Sequence, residues 1–163
     1  MSERHSQNGW LASADRNAIA VKNFLITGAN QHFAMATSAA PVLAAFLNEF
    51  NTLVQAINAT GTVFDDWGYN FALIPNTQDL SNHCSGTAID VNATKHVWKA
   101  AVSGFTPAQE KTIDSLCVKY GIRWGWRYIN GWKDPMHFEI IESPATVAAR
   151  IKTMKLPTPK VMI

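Results

Sequence analysis

Residues 136–141 constrain the fold most, because apolar and polar side chains alternate along them. In a β-strand, successive side chains point to opposite faces of the sheet. One face of this segment is uniformly apolar and must pack on a core, whereas the other presents His137 and Glu139 side by side. The apolar face consists of Met136, Phe138 and Ile140.

Residues 87–92 show the same division between an apolar face and a polar one. Their β-branched residues face a core in this interpretation, and Asp90 lies on the opposite face. If this strand and the first are neighbours, Asp90 and His137 project into one cleft. His83 then arrives from the turn before Gly86, whose missing side chain permits a close backbone approach. Two imidazoles and one carboxylate with an open fourth position form a catalytic zinc site.

Each of these residues also has an ordinary structural role open to it. A lone strand histidine such as His137 is more often structural, Asp90 can cap a turn, and Asp134 can begin one. Cys84 can bind zinc in principle, but it adjoins His83, and neighbouring side chains rarely converge on one ion. A Ser-His-Asp triad would need a serine in a G-x-S-x-G elbow, which the sequence lacks. Spacing alone leaves these alternatives open.

The remaining patterns indicate three helices and five short strands. The second helix has the clearest signals, with Thr106 as N-cap, Pro107 at the first helical position and Gln109 completing a capping box. The order of the elements predicts an α+β fold, in which a small antiparallel sheet has helices packed on one side. The helices are expected from Pro41 to Gly61, from Thr106 to Gly121 and from Ser143 to Met154. The strands are expected at residues 62–64, 71–74, 87–92, 122–124 and 136–141.

Composition excludes several classes of protein. A length of 163 residues predicts one domain, and the formal net charge of +2 lacks the basic excess of a nucleic-acid-binding protein. No apolar run is long enough to cross a membrane, and the N-terminus does not resemble a signal peptide. We therefore expect a monomer that is made in a cytoplasm, makes no membrane contact and has loose ends at about residues 1–8 and 156–163.

Two motifs resemble a known family. The pattern S-x-H-x-x-G-x-A-x-D at residues 81–90, followed by D-x-x-H-F-E at 134–139, is similar to the zinc D-alanyl-D-alanine carboxypeptidases and L-alanyl-D-glutamate endopeptidases. Residues 65–69 and 123–125 extend the resemblance, which is strongest to peptidase domains of endolysins from phages of actinobacteria. It implies a hedgehog or D-Ala-D-Ala-peptidase-like zinc fold, with residues 1–163 forming a single zinc peptidase domain.

The resemblance also implies roles for individual residues. His83, Asp90 and His137 are the expected ligands of one Zn²⁺ per chain, and Asp134 is the expected general base. Alternation alone would have nominated Glu139 as the base, so we expect Glu139 to orient a ligand histidine instead. The further candidates for contact with the ligands or the substrate are Ser81, Trp67, Tyr69 and Trp126.

The expected reaction is hydrolysis of a peptide bond in the stem peptide of bacterial peptidoglycan. Members of the family often carry an arginine before the first histidine, but residues 67–81 contain none. Arg123 and Arg127 are the nearest basic candidates to replace it, and Trp126 stands where a second glycine is usual. The missing arginine favours an endopeptidase that cuts between L-alanine and D-glutamate. The alternatives are a D-Ala-D-Ala carboxypeptidase, a non-catalytic wall-binding module and a structural zinc domain.

Overall fold

The computed structural model describes residues 4–57, 64–129 and 131–162 of the chain. The protein has the predicted α+β architecture, with small antiparallel sheets and three helices. The strands are β1 (Arg4–His5), β2 (Leu11–Ala12), β3 (Val21–Ile26), β4 (Gln31–Ala36), β5 (Ala88–Asp90), β6 (Ile122–Trp124) and β7 (His137–Ile140). The helices are α1 (Ala40–Leu53), α2 (Pro107–Tyr120) and α3 (Pro144–Met154).

The three-stranded sheet has the order β5-β7-β6, and both of its strand pairs are antiparallel. Its central strand, β7, buries Phe138 completely beneath α1. The Phe138 ring lies 5.0 Å from the Phe46 ring and 5.5 Å from the Phe50 ring, measured between centroids. Aromatic burial of this kind supplies much of the energy of a small core. The alternation of β7 therefore divides a core face from a polar face, as its sequence predicts.

Helix α2 has the predicted ends. The Thr106 hydroxyl accepts a hydrogen bond from the Gln109 backbone N–H, the Gln109 side chain accepts one from the Thr106 backbone N–H, and Gly121 ends the helix with φ of +66°. Helix α3 begins at Pro144 after Ser143 as predicted. Val147 of this helix is buried, whereas Ala148 beside it is exposed.

Helix α1 is shorter than predicted, since it ends at Leu53. The expected stop at Gly61 lies outside the described residues. Ile57, which was assigned to the helix, is buried in a turn, where its N–H donates to the Asn51 side chain. The expected strand at residues 62–64 also lies outside the described residues except for its last position. Residues 71–74 contain only an isolated bridge between Leu73 and Leu80.

Two hairpins were not predicted. Strands β3 and β4 pair over six positions through a short turn that contains Gly28 and Asn30, and Asn30 has φ of +52°. Strands β1 and β2 form a smaller hairpin. The expectation of a loose N-terminal end is wrong from Arg4 onward, because the Ser6 hydroxyl donates to Ser85 and the Asn8 N–H donates to Asn82.

The C-terminal end is also attached to the fold. The Leu25 N–H donates to the Lys160 carbonyl, and the Met162 N–H donates to the Asn23 carbonyl, so the chain end lies along β3.

Within the described ranges, no helix has the length and apolar character needed to cross a membrane.

Candidate metal centre

Three buried side chains each bring one ligand atom to a common point. His83 Nε2 lies 3.1 Å from His137 Nδ1 and 3.3 Å from Asp90 Oδ1, and His137 Nδ1 lies 2.9 Å from the same carboxylate oxygen. His83 is 9% exposed, Asp90 6% and His137 8%. The pairing of β5 with β7 places Asp90 directly opposite His137. The geometry thus brings together the three residues that the motif identified as ligands.

The dimensions of this triangle suit a small tetrahedral ion. With bonds of about 2.0–2.1 Å to nitrogen and oxygen, two ligands of a tetrahedral zinc site lie about 3.3–3.4 Å apart. The observed separations of 2.9–3.3 Å approach that value. Calcium requires six to eight oxygen ligands at about 2.3–2.6 Å, so it does not suit two imidazoles and one carboxylate. The group can therefore hold a metal ion, and its donor set resembles that of catalytic zinc sites.

His83 is held by a short 3-10 turn over residues Asn82–Ser85. Ser81 caps this turn, because its hydroxyl accepts a hydrogen bond from the His83 backbone N–H at 3.3 Å. The imidazole donates from Nδ1 to the Gly68 carbonyl at 2.6 Å, which leaves Nε2 directed at the other ligands. Such outer partners fix the tautomer and the ring orientation of a ligand histidine. Ser81 therefore helps to position His83 through the backbone.

Gly86 ends the 3-10 turn in the left-handed conformation, with φ of +66°. A Cβ at this position would lie 2.6 Å from the backbone nitrogen of Ala36 in β4. Only glycine fits both the dihedral angle and the space. The predicted close backbone approach at Gly86 is thus present. It attaches the turn that carries His83 to strand β4 of the β3–β4 hairpin.

Burial, charges and hydrogen bonds within the group shift the pKa values of Asp90 and His137. Burial alone would raise the pKa of Asp90, but the neighbouring charge of His83 and the hydrogen bonds from both histidines outweigh it and lower that pKa. Burial would lower the pKa of His137, but hydrogen bonds to Asp90 and Glu139 raise it well above its ordinary value. The carboxylates of Asp90 and Glu139 thus create a negative potential at His137, and such a potential also favours a bound cation.

Glu139 lies beside His137 on β7, and its side chain is buried behind the His137 ring. It is 2% exposed, and its Oε2 accepts a hydrogen bond from His137 Nε2 at 3.2 Å. Its Oε1 accepts from the Arg123 side chain at 2.7 Å and from the Tyr128 hydroxyl at 2.6 Å. The Asn82 amide also donates to Glu139. Burial would raise the pKa of Glu139, but these donors hold it below its ordinary value.

The hydrogen bond to Glu139 thus holds the ring of His137 with Nδ1 facing His83 and Asp90. Asn82 and Tyr128 were not predicted to belong to this cluster. No local signal could have found them, since Asn82 lies 57 positions from Glu139 in sequence. Only the fold brings these donors to one carboxylate.

Asp134 lies beside the triangle in a different electrostatic environment. Its Oδ1 is buried, and no hydrogen-bond partner for it occurs among the described residues. Burial raises the pKa of Asp134 from 3.8 to about 6, and the negative charge of Asp90 contributes to the rise. A carboxyl group with a raised pKa and an unpartnered oxygen is a candidate for proton transfer.

Gly125 makes room for Asp134. A Cβ at Gly125 would lie 2.4 Å from the Asp134 carbonyl oxygen and 3.2 Å from the Cβ of His137. The Gly125 carbonyl also accepts a hydrogen bond from the Asp134 N–H at 3.1 Å. The glycine of the Trp-Gly segment therefore lets the loop that carries Asp134 pack directly against β7.

The aromatic candidates separate into different environments. Trp67 and Tyr69 line an open cleft, and the Tyr69 hydroxyl donates to the Ser13 carbonyl at 2.8 Å. Trp126 is partly buried against the core, with the Lys133 ammonium 5.1 Å from its ring centroid. The structure thus places Trp67 and Tyr69 in a cleft and Trp126 against the core.

The two arginines that could replace the missing charge are both paired. Arg123 forms its ion pair with Glu139, and Arg127 pairs with Glu110 and Asp114 on helix α2. Both arginines are neutralised by carboxylates of the protein.

Cys84 is directed away from the ligands, because its thiol donates to the Ala72 carbonyl at 3.0 Å. Among the described residues, no thiol joins the three candidate ligands.

Comparison with known proteins gives one match. The sequence model of the D-alanyl-D-alanine carboxypeptidase family matches residues 75–140, less than half of the chain. No curated protein and no solved structure matches the chain. The matched region contains the three residues of the metal triangle, Asp134 and Glu139. Residues 75–140 are thus similar to the D-alanyl-D-alanine carboxypeptidase family of peptidases, and the candidate ligands lie within the similar segment.

Proposed function

We propose that this protein is a zinc-dependent endopeptidase that cleaves peptidoglycan stem peptides between L-alanine and D-glutamate. It would act as a monomeric, single-domain phage endolysin on the bacterial cell wall. The observation that carries the proposal is the buried triangle of His83, Asp90 and His137 beside Asp134, whose Oδ1 is buried without a partner. A purely structural zinc domain would have no use for a carboxylate with a raised pKa at this position.

The chain's own residues would divide the work as follows. His83, Asp90 and His137 would hold Zn²⁺, which supplies Lewis-acid chemistry by acidifying water and polarising a carbonyl oxygen. Asp134 would accept the proton of the attacking water and later return it to the leaving amine. Glu139 would keep the ring of His137 in the ligand orientation.

The choice of bond rests on the charges around the site. A carboxypeptidase must bind the free carboxylate of its substrate, and an unpaired carboxylate is costly to bury. Residues 64–81 contain no lysine or arginine, and both Arg123 and Arg127 are engaged by carboxylates of the protein. These observations favour an open groove in which the substrate chain continues past the metal.

The second candidate is hydrolysis of the terminal D-Ala-D-Ala bond. The description of the matching family favours it, because it names a D-alanyl-D-alanine carboxypeptidase. The products distinguish the two reactions, since the carboxypeptidase releases free D-alanine and the endopeptidase creates a new N-terminal glutamate.

The test is digestion of purified peptidoglycan with and without a metal chelator, followed by mass analysis and end-group labelling. We expect N-terminal glutamate from the untreated protein only, and none from the Asp134→Asn variant. The matched control is Asp79→Asn, which alters an exposed carboxylate outside the metal centre. Free D-alanine without a new glutamate terminus would replace the proposed bond by the second candidate. Saturable binding with no new amino groups would indicate a wall-binding module.

A further inference from the structure

The face of the sheet that carries the metal ligands continues beyond β5. The Trp67 N–H donates to the Asp90 carbonyl at 3.1 Å, and the Asp90 N–H donates to the Trp67 carbonyl at 2.8 Å. Residues that exchange both hydrogen bonds in an antiparallel pair lie directly opposite each other, with side chains on the same face. Trp67, Asp90 and His137 therefore form one row across the sheet. Neighbouring strands lie about 4.8 Å apart, so Trp67 is one strand from the ligands.

The same layer reaches the β3–β4 hairpin. The Tyr69 N–H donates to the Ala34 carbonyl at 2.7 Å, which joins the segment after Trp67 to β4. A Cβ at Gly68 would lie 2.2 Å from that carbonyl oxygen, so the absence of a side chain permits the contact. Because the Gly68 carbonyl also holds His83, this floor is tied directly to the metal centre.

A groove lies on this floor, and its lining combines the aromatic rings of Phe64 and Trp67 with polar side chains, among them the buried carboxyl group of Asp66. Phe64 is 80% exposed and stacks on Trp67, with 6.5 Å between ring centroids and 28° between ring planes. Asn23, His32 and Asn70 line the same groove and are exposed. We call these three residues, Phe64 and Trp67 the aromatic groove. Exposed apolar surface rimmed by polar groups is typical of a binding site.

This combination suits a sugar. A pyranose ring has an apolar face of C–H groups that packs on aromatic rings, and its hydroxyl and acetamido groups require the hydrogen bonds that amides and imidazoles offer. We propose that the aromatic groove binds the N-acetylmuramic acid residue to which the stem peptide is attached. This inference rests on the proposed function, and it names the part of the substrate that the site recognises besides the peptide.

The geometry of the substrate agrees with this position. L-Alanine is joined to the sugar through a lactyl group, so the ring lies two residue-like units from the L-Ala-D-Glu bond, about 7 Å when extended. Trp67 is one strand spacing from Asp90, which is within that reach. In D-Ala-D-Ala cleavage the sugar would lie three residues farther away, about 10 Å more, and the groove would contact only peptide.

The test measures binding without hydrolysis. N-acetylmuramoyl-L-alanine and N-lactoyl-L-alanine share the lactyl-alanine unit, lack the cleaved bond and differ only in the sugar. Titration of the zinc-loaded protein, followed by the NMR signals of the tryptophan indoles, should show about tenfold tighter binding of the sugar-bearing compound. Phe64→Ala and Trp67→Ala should each remove most of that preference, with the zinc content checked in both. Trp98→Ala should retain it, because Trp98 packs on Lys99 and Trp132 outside the groove.

The outcomes separate the inference from the proposed function. Equal affinity of the wild-type protein for the two compounds would overturn the sugar site, as would an unchanged preference in both Phe64→Ala and Trp67→Ala. Release of N-terminal glutamate from peptidoglycan without any sugar preference would overturn this inference alone. Sugar preference without release of glutamate would keep the groove and overturn the proposed bond.

Discussion

Replacing Asp134 with asparagine should stabilise the metal-free protein at neutral pH and leave its stability nearly unchanged near pH 4. Burial raises the pKa of Asp134 from 3.8 to about 6, so the folded protein retains a proton that the unfolded chain has already lost. Stability therefore falls as the pH rises from 3.8 through about 6. Asparagine has nearly the same shape and does not ionise, so the variant escapes this loss.

The magnitude follows from the two pKa values. At about 1.4 kcal/mol per pKa unit, a rise from 3.8 to about 6 corresponds to at most about 3 kcal/mol at pH 7. The residue is only partly exposed, so solvent screening does not remove most of the effect. The protein would thus retain a destabilising carboxylate because the reaction needs it.

The assay is urea denaturation of chelator-treated wild-type protein and Asp134→Asn at several pH values between 4 and 8. The difference in unfolding free energy should grow from near zero to about 2–3 kcal/mol in favour of the variant. Adding zinc should reduce this difference in unfolding free energy, because a nearby cation favours the ionised form of Asp134. Asp79→Asn, at an exposed position, is the control. A difference that does not depend on pH would refute the reasoning.

Three further substitutions test the surroundings of the site. Glu139→Gln should cost about 3 kcal/mol in chemical denaturation, because it leaves buried donors without their carboxylate, and should weaken zinc binding by about 10- to 100-fold in a competition titration. Gly125→Ala should lower stability by about 1–3 kcal/mol and reduce turnover at full zinc occupancy, since its Cβ would meet the Asp134 carbonyl. Thr106→Ala should cost about 1 kcal/mol in urea and leave zinc content unchanged, because it removes only the cap of α2. Unaltered zinc affinity in Glu139→Gln, unaltered turnover in Gly125→Ala, or zinc loss in Thr106→Ala would contradict these expectations.

The fold could be predicted from sequence where one local signal dominates. The capping box and glycine stop of α2 define that helix without help from tertiary contacts. The β3–β4 hairpin was not predicted, because burial does not alternate strictly along its two strands and their mostly uncharged sequence resembles that of other elements. A turn containing Gly28 and Asn30 was the available signal, since both residues favour turn conformations. Helix α1 was predicted too long because apolar spacing continues through Ile57 after the helix has ended.

The candidate site was partly visible in the sequence for a related reason. Alternation places His137 and Asp90 on polar faces, and the pairing of β5 with β7 brings them together. Alternation cannot show how deeply a polar face is buried, so it does not reveal that Glu139 lies within a closed set of donors. Contacts such as Gly125 against Asp134 depend on tertiary packing and have no sequence signal of their own.

The central claim is that three side chains of this protein hold one zinc ion, and metal analysis tests it most directly. Zinc per chain should be measured in the purified wild-type protein, in Asp134→Asn, and in the single alanine variants of His83, Asp90 and His137. We predict about one zinc ion in the wild type and in Asp134→Asn, and less than about a tenth in each alanine variant, because three ligands leave no redundancy. Stoichiometric zinc in all three alanine variants would contradict the account.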